Sequence, residues 1–130
     1  MAPRLDVIGL IVSDLEASLA FYRRLGLEFG PVAGAGHVEA ELPGGFRLAL
    51  DTEEVMASFQ SNWQRPGSDG RIGLAFRCDS PAEVDAVYEE LVAAGRHGEL
   101  KPFDAEWGQR YAVVNDPDGN GTSLYAALHS

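Results

Sequence analysis

One order of segments occurs twice in this chain of 130 residues, and it limits the possible folds more than any other feature. The first half opens with Leu5 to Val12, an apolar, β-branched run that predicts a strand. Ser13-Asp14 then supplies N-cap oxygens to a helix in which Leu15, Leu19, Tyr22 and Leu25 recur at helical spacing, and Gly26 stops it. Short strands are predicted over Leu27–Val32, His37–Leu42 and Phe46–Asp51, the last two joined by a Pro43-Gly44-Gly45 turn. A short helix from Thr52 to Ser58 follows.

The plan then begins again. Arg71 to Cys78 predicts a strand, and Ser80-Pro81 starts a helix whose apolar stripe is Val84, Val87, Tyr88 and Leu91. That helix runs to about Ala94, ahead of Gly95. Strands over Glu99–Phe103, Gln109–Asn115 and Thr122–Leu128 complete the half, with a tight turn at Asp116-Pro117-Asp118-Gly119. A shift of 66 positions, from 12 to 78, lays Val12 on Cys78, Tyr22 on Tyr88 and Leu25 on Leu91. A shift of 74, from 43 to 117, lays Pro43 on Pro117, Gly45 on Gly119 and Leu50 on Leu124. Identities are few, but the order strand, helix, three strands recurs in full. The expectation is an α+β domain of two βαβββ modules, about residues 1–56 and 68–130. They would form a curved, cleft-bearing sheet with the helices on its outer face.

A chain of this length fits one domain. Its 45% hydrophobic content is enough for a core, and the single cysteine, Cys78, excludes an internal disulfide. No signal peptide is read at the start, and the apolar Val7–Val12 run is far too short to span a bilayer, so the expected location is the cytoplasm. A net charge of −10 argues against nucleic acid and anionic membranes as partners, since both need clustered Lys and Arg.

The stretch Val7-Ile8-Gly9-Leu10-Ile11-Val12-Ser13-Asp14-Leu15-Glu16, continued by Ser18-Leu19-Ala20-Phe21-Tyr22 and Leu25-Gly26-Leu27, resembles the first module of vicinal-oxygen-chelate proteins. Trp107-Gly108-Gln109-Arg110-Tyr111 with Asp116-Pro117-Asp118-Gly119-Asn120 resembles the final hairpin of that superfamily, in particular its glyoxalase and bleomycin-resistance members. The likeness covers nearly the whole chain. It speaks to fold more than to function, because one fold carries many activities.

Metal-dependent members of that family place one ligand on the first strand and one on the last strand of each module, in a set of the His/Glu type. By resemblance these positions fall on Val7, Ala49, Gly73 and Ser123. A divalent cation needs three or four N, O or S donors, and Val, Ala and Gly side chains have none. The inherited metal site is therefore expected to be absent, and with it the Lewis acid for glyoxalase or dioxygenase chemistry. His37, Glu39 and Glu41 alternate along one strand and so share a face, which is read as a solvated strand face. His97 and His129 are expected to be exposed, and Cys78 to be a small core residue.

The remaining candidates are residues expected to face the cleft. If Val7 points inward, so do Gly9 and Ile11; the same alternation groups Arg47, Ala49 and Asp51, then Gly73, Ala75 and Arg77, then Ser123 and Tyr125. Phe59, Trp63 and Trp107, on connectors, are candidates to stack on a planar ligand. Asp51, Glu39 and Asp104 give the cleft a negative cast suited to a cation. The expected function is a metal-independent, cofactor-free protein that sequesters a bulky, partly aromatic ligand such as an antibiotic, with no catalytic residue. The resemblance also implies a homodimer. The alternative is a lyase or isomerase of the same superfamily, or a metal-free enzyme acting through Tyr125, Arg47, Arg77 or His37.

Overall fold

The computed structural model describes residues 4–59 and 73–129. The chain divides into two compact units, Met1–Gly67 and Ser68–Ser130, each with its own sheet. In the first unit the elements are β1 (Val7–Val12), α1 (Leu15–Arg24), β2 (His37–Glu41), β3 (Arg47–Thr52) and α2 (Glu53–Phe59). β3 lies at the centre, parallel to β1 and antiparallel to β2. Parallel strands cannot be joined by a tight turn and need a crossover, and here α1 is on that path.

Local chemistry sets the limits of α1. The Asp14 carboxylate accepts the Ala17 N–H at 3.1 Å and caps the start. At the end the Gly26 N–H donates to the Arg23 carbonyl and the Leu27 N–H to the Tyr22 carbonyl, a Schellman motif. Strand alternation then sorts the side chains. Ile8 and Leu10 lie opposite Leu48 and Leu50, and Ala40 and Val38 flank the same two leucines from β2. Leu48, Leu50, Val38 and Ala40 join Leu19, Phe21 and Tyr22 of α1 in the core of this unit, with Ile8 and Leu10 half-buried at its margin; Phe21 and Tyr22 meet edge to face at 5.0 Å. A fully buried leucine such as Leu50 contributes roughly 1.5–3 kcal/mol over an exposed one.

The predicted strand over Leu27–Val32 does not form as such. The segment touches the edge of β2 only through isolated bridges, Phe29 with Ala40 and Ala33 with His37. Pro31 has no N–H to give a ladder, and Gly30 supports extended backbone weakly. The sheet of this unit therefore has three strands, not four.

The second unit holds β4 (Leu74–Arg77), α3 (Pro81–Ala93), β5 (Gly98–Asp104), β6 (Gln109–Asn115) and β7 (Gly121–Ala127), in sheet order β4-β7-β6-β5. Again the first strand pairs in parallel with the last. Ser80 caps α3 by accepting the Glu83 N–H, while the Glu83 carboxylate accepts the Asp79 N–H at 2.8 Å. A second Schellman motif ends α3, with Gly95 N–H on Val92 and Arg96 N–H on Leu91. Val84, Tyr88 and Leu91 are buried, as are Ala112 and Val114 of β6 and Thr122, Leu124 and Ala126 of β7. The Asp116-to-Asn120 turn is held by the Asp116 carboxylate, which accepts N–H groups from Asp118 and Asn120. That motif is a structural device. Among the described residues no helix is long and apolar enough to cross a membrane.

Gly36 locks the entry to β2. It is buried at φ +134°, a conformation that side chains resist, and a Cβ there would lie 2.4 Å from Thr52 Cγ2. Thr52 is already engaged, since its hydroxyl accepts the Val55 N–H at the start of α2 and donates to the Ala35 carbonyl. Gly36→Ala is expected to destabilise the protein by about 1–3 kcal/mol in denaturant titrations. Gly9→Ala, where a Cβ meets nothing within 4 Å, should stay within about 0.5 kcal/mol of the parent.

Candidate functional site

Each sheet has one face covered by its helix and one that is not. In the first unit the uncovered face carries Val7, Gly9 and Ile11 from β1, Arg47, Ala49 and Asp51 from β3, and Glu41, Glu39 and His37 from β2. Register puts them in rows: Val7, Arg47 and Glu41; Gly9, Ala49 and Glu39; Ile11, Asp51 and His37. Six of the residues read as cleft-facing thus share one surface.

A chain of charge crosses that surface. Asp51 Oδ1 lies 2.6 Å from His37 Nδ1, and Glu39 Oε2 lies 2.8 Å from His37 Nε2. The other Glu39 oxygen accepts from Arg47 Nη1 at 2.9 Å, and Arg47 Nη2 donates to Asp6. His37 and Glu39 keep about a third of their side-chain surface exposed, at 38% and 34%, and are bonded on that face, His37 to Asp51 and Glu39 to Arg47 across the sheet and to each other along the strand. The cross-strand partners Asp51 and Arg47 lie 14 and 8 positions along the chain, beyond the reach of strand periodicity. A neutral imidazole has one N–H and cannot serve two carboxylates; an imidazolium serves both. Hydrogen bonds to Asp51 and then Glu39 accordingly raise the His37 pKa above 6.5. The bond from His37 holds Glu39 below 4.5, and Asp6 and Glu39 raise Arg47.

Beside this relay lies a groove of about 790 Å³ between residues 26–31 and 37–43, within the usual range for ligand pockets. Its charged lining is Glu28, His37, Glu39 and Glu41. The two nitrogens of His37 point to opposite sides of the ring, so His37, Asp51 and Glu39 do not converge on one point. Among the described residues no three His, Cys, Asp or Glu side chains are grouped to hold a metal ion.

In the second unit the uncovered face carries Ala75 and Arg77 of β4, Ser123 and Tyr125 of β7, and Tyr111 and Val113 of β6, with Gly73 just ahead of β4. The Tyr111 hydroxyl meets Ser123 Oγ at 2.8 Å, so the one hydroxyl among the four family ligand positions is already bonded. Trp107 stands in the turn between β5 and β6, beside Phe103 and Tyr111. Those two aromatic neighbours are not among the expected site residues; Tyr111 is reached from Tyr125 only through the pairing of β6 with β7. Asp104 does not stand free to give a cleft its charge, because it pairs with Arg110, which also grips Asp85 of α3. Phe59 ends α2, but its side chain lies outside the described residues, as does all of Trp63. Cys78 is buried, and burial pushes its thiol pKa up to about 11.

Comparison with known proteins gives a consistent picture. The model of the glyoxalase/bleomycin resistance protein/dioxygenase superfamily matches residues 4–124. The chain is similar to a crystal structure of a glyoxalase/bleomycin resistance protein/dioxygenase from Nocardioides, at 28% identity and a TM-score of 0.76, over 100% of this chain and 87% of that one. A glyoxalase-related enzyme from Fulvimarina pelagi is 26% identical with a TM-score of 0.79, over 96% and 88% of the two chains. A lactoylglutathione lyase from Agrobacterium tumefaciens shares the fold at 24% identity and a TM-score of 0.67, over 96% and 94%. No curated protein matches the sequence.

The relay sets a pH dependence whose sign follows from the shifts. His37 is raised, so its contribution to stability is complete below pH 6.5 and is lost as pH rises through its higher folded value. Glu39 is lowered, so its contribution is present above pH 4.5 and lost as pH falls through its lower folded value. The pair together is strongest between those limits. An NMR titration of the His37 ring should give a pKa above 6.5 that falls in Asp51→Asn; an unchanged value in the variant would refute the relay.

Proposed function

The chain belongs to the glyoxalase/bleomycin resistance protein/dioxygenase superfamily, and within it we propose a metal-independent binding protein that sequesters a bulky, partly aromatic small molecule. One observation carries the proposal. The positions that the family resemblance assigns to metal ligands hold Val7, Ala49, Gly73 and Ser123. Three of these side chains have no donor atom, and the fourth is bonded to Tyr111. Such a set does not fit a divalent cation, which takes three or four N, O or S ligands. Val7 and Gly73 are exposed while Ala49 is buried, and the exposed pair suits contact with a ligand held intact.

Further support comes from what surrounds them. The acidic groove of the first unit favours a positively charged ligand, and the aromatic surface of the second favours a ligand that can lie against exposed ring faces. An antibiotic or other toxic metabolite, taken up by a homodimer, is the ligand class proposed, with Val7, Gly9, Ile11, Arg47, Ala49, Asp51, Gly73, Ala75, Arg77, Trp107, Ser123 and Tyr125 as its contacts.

The second reading is a metal-free lyase or isomerase of the same superfamily. It is favoured by the 2.6 Å bond from His37 to Asp51, the arrangement by which a carboxylate orients an acid–base histidine. It is weakened by Glu39, which occupies the other ring nitrogen.

Native mass spectrometry of the purified protein with a panel of planar aromatic and cationic antibiotics separates the two. Sequestration predicts an intact, non-covalent adduct with the ligand mass unchanged. Recovery of an altered compound, or stoichiometric divalent metal whose removal abolishes turnover, would overturn the proposal in favour of an enzyme.

A further inference from the structure

Three aromatic rings of the second unit stand close to mutually perpendicular. Phe103 and Trp107 have centroids 6.2 Å apart at 90°, Phe103 and Tyr111 6.2 Å apart at 86°, and Trp107 and Tyr111 5.5 Å apart at 75°. From these geometries we infer that Phe103, Trp107 and Tyr111 form a three-walled corner that binds the quaternary or alkylated ammonium group of an organic cation. The inference rests on the reading of the chain as a ligand-binding protein and names the chemical class that this surface would take.

Backbone chemistry builds the corner before any ligand arrives. Phe103 and Tyr111 are direct cross-strand partners on β5 and β6. The strands are joined by a turn in which the Gly108 N–H donates to the Ala105 carbonyl at 3.0 Å and the Ala105 N–H to the Gln109 carbonyl at 2.8 Å. Gly108 sits at φ +91°, the left-handed position that such a hairpin reserves for glycine. The Leu128 N–H ties the same glycine to the chain beyond β7, and the Trp107 indole N–H donates to Gln109 Oε1 at 2.9 Å. The tryptophan is therefore fixed at its root and at its ring.

Packing alone does not account for the ring. Trp107 remains 61% exposed and Phe103 36%, whereas an aromatic cluster formed to stabilise the fold would bury its largest member. The three pairs meet edge to face, and the faces of Trp107 and Phe103 that stay exposed are open to a cation within the roughly 6 Å reach of cation–π attraction. Charge agrees. Glu106 is an exposed acid next to Trp107 in the turn, and the protein as a whole carries −10. A compact alkylammonium fits both the rings and the field; an anion fits neither.

The test compares choline with 3,3-dimethylbutan-1-ol, its uncharged isostere, by following the Trp107 indole N–H and the Gly108 amide in nitrogen–proton correlation spectra. A saturable shift with choline, with the alcohol about tenfold weaker or worse, is the expected result. Trp107→Leu and, independently, Phe103→Leu should each weaken choline about tenfold while the spectrum elsewhere keeps its dispersion. Equal responses to the two probes would overturn the corner, as would a Trp107 signal that follows protein concentration and ignores choline. Neutral aromatic adducts in the mass spectrometer without any choline response would likewise remove this inference and leave the binding function standing.

Discussion

In each unit the parallel ladder between the first strand and the last decides where everything else lies. Val7 to Val12 run beside Arg47 to Thr52, and Leu74 to Arg77 run beside Thr122 to Tyr125, so each chain segment must cross over before it returns. The crossover carries the helix to one side of the sheet, because a twisted sheet and a right-handed helix pack back onto each other in one sense. Leu48, Leu50, Leu124 and Ala126 are thereby committed to the helix side. Ala49, Asp51, Ser123 and Tyr125, one residue out of phase, are committed to the open side. A slip of one residue in either ladder would exchange the two sets and destroy core and open face together.

The open faces differ in chemistry although the units share a plan. That of the first unit is polar and self-satisfied: Asp51, His37, Glu39, Arg47 and Asp6 are joined end to end. Two acceptors face its imidazole and favour the protonated form, which leaves neither nitrogen idle. That of the second unit mixes Arg77 and the bonded Tyr111–Ser123 pair with aromatic rings, and Trp107 in the adjoining turn is exposed. An aromatic ring fixed by hydrogen bonds at its turn can meet a ligand with little further loss of conformational freedom. Among the described residues neither face groups three His, Cys, Asp or Glu side chains that could hold a metal ion.

Much of the architecture could be read in advance because it rests on local signals. The caps at Asp14 and Ser80, the stops at Gly26 and Gly95 and the alternation of Gln109–Asn115 act within a few residues. Leu27–Val32 has the apolar content of a strand, but Pro31 lacks a donor that only the pairing with β2 reveals as needed. The bonds of His37 and Glu39 are hidden from the sequence for a related reason. Their partners lie on another strand, and no periodicity along one strand specifies what stands opposite. Phe103 and Tyr111 are ordinary strand aromatics in the sequence until the register pairs them and the turn brings Trp107 beside both.

The sequence by itself determined the repeat, the faces of the helices, the superfamily and the absence of donor atoms at Val7, Ala49 and Gly73, since these depend on residue type and spacing along the chain. Tertiary structure alone decided that one imidazole would lie between two carboxylates and that three rings would meet nearly at right angles. Both are statements about distance between strands. Hydrogen-bond pairing in the sheet, not position along the chain, sets that distance.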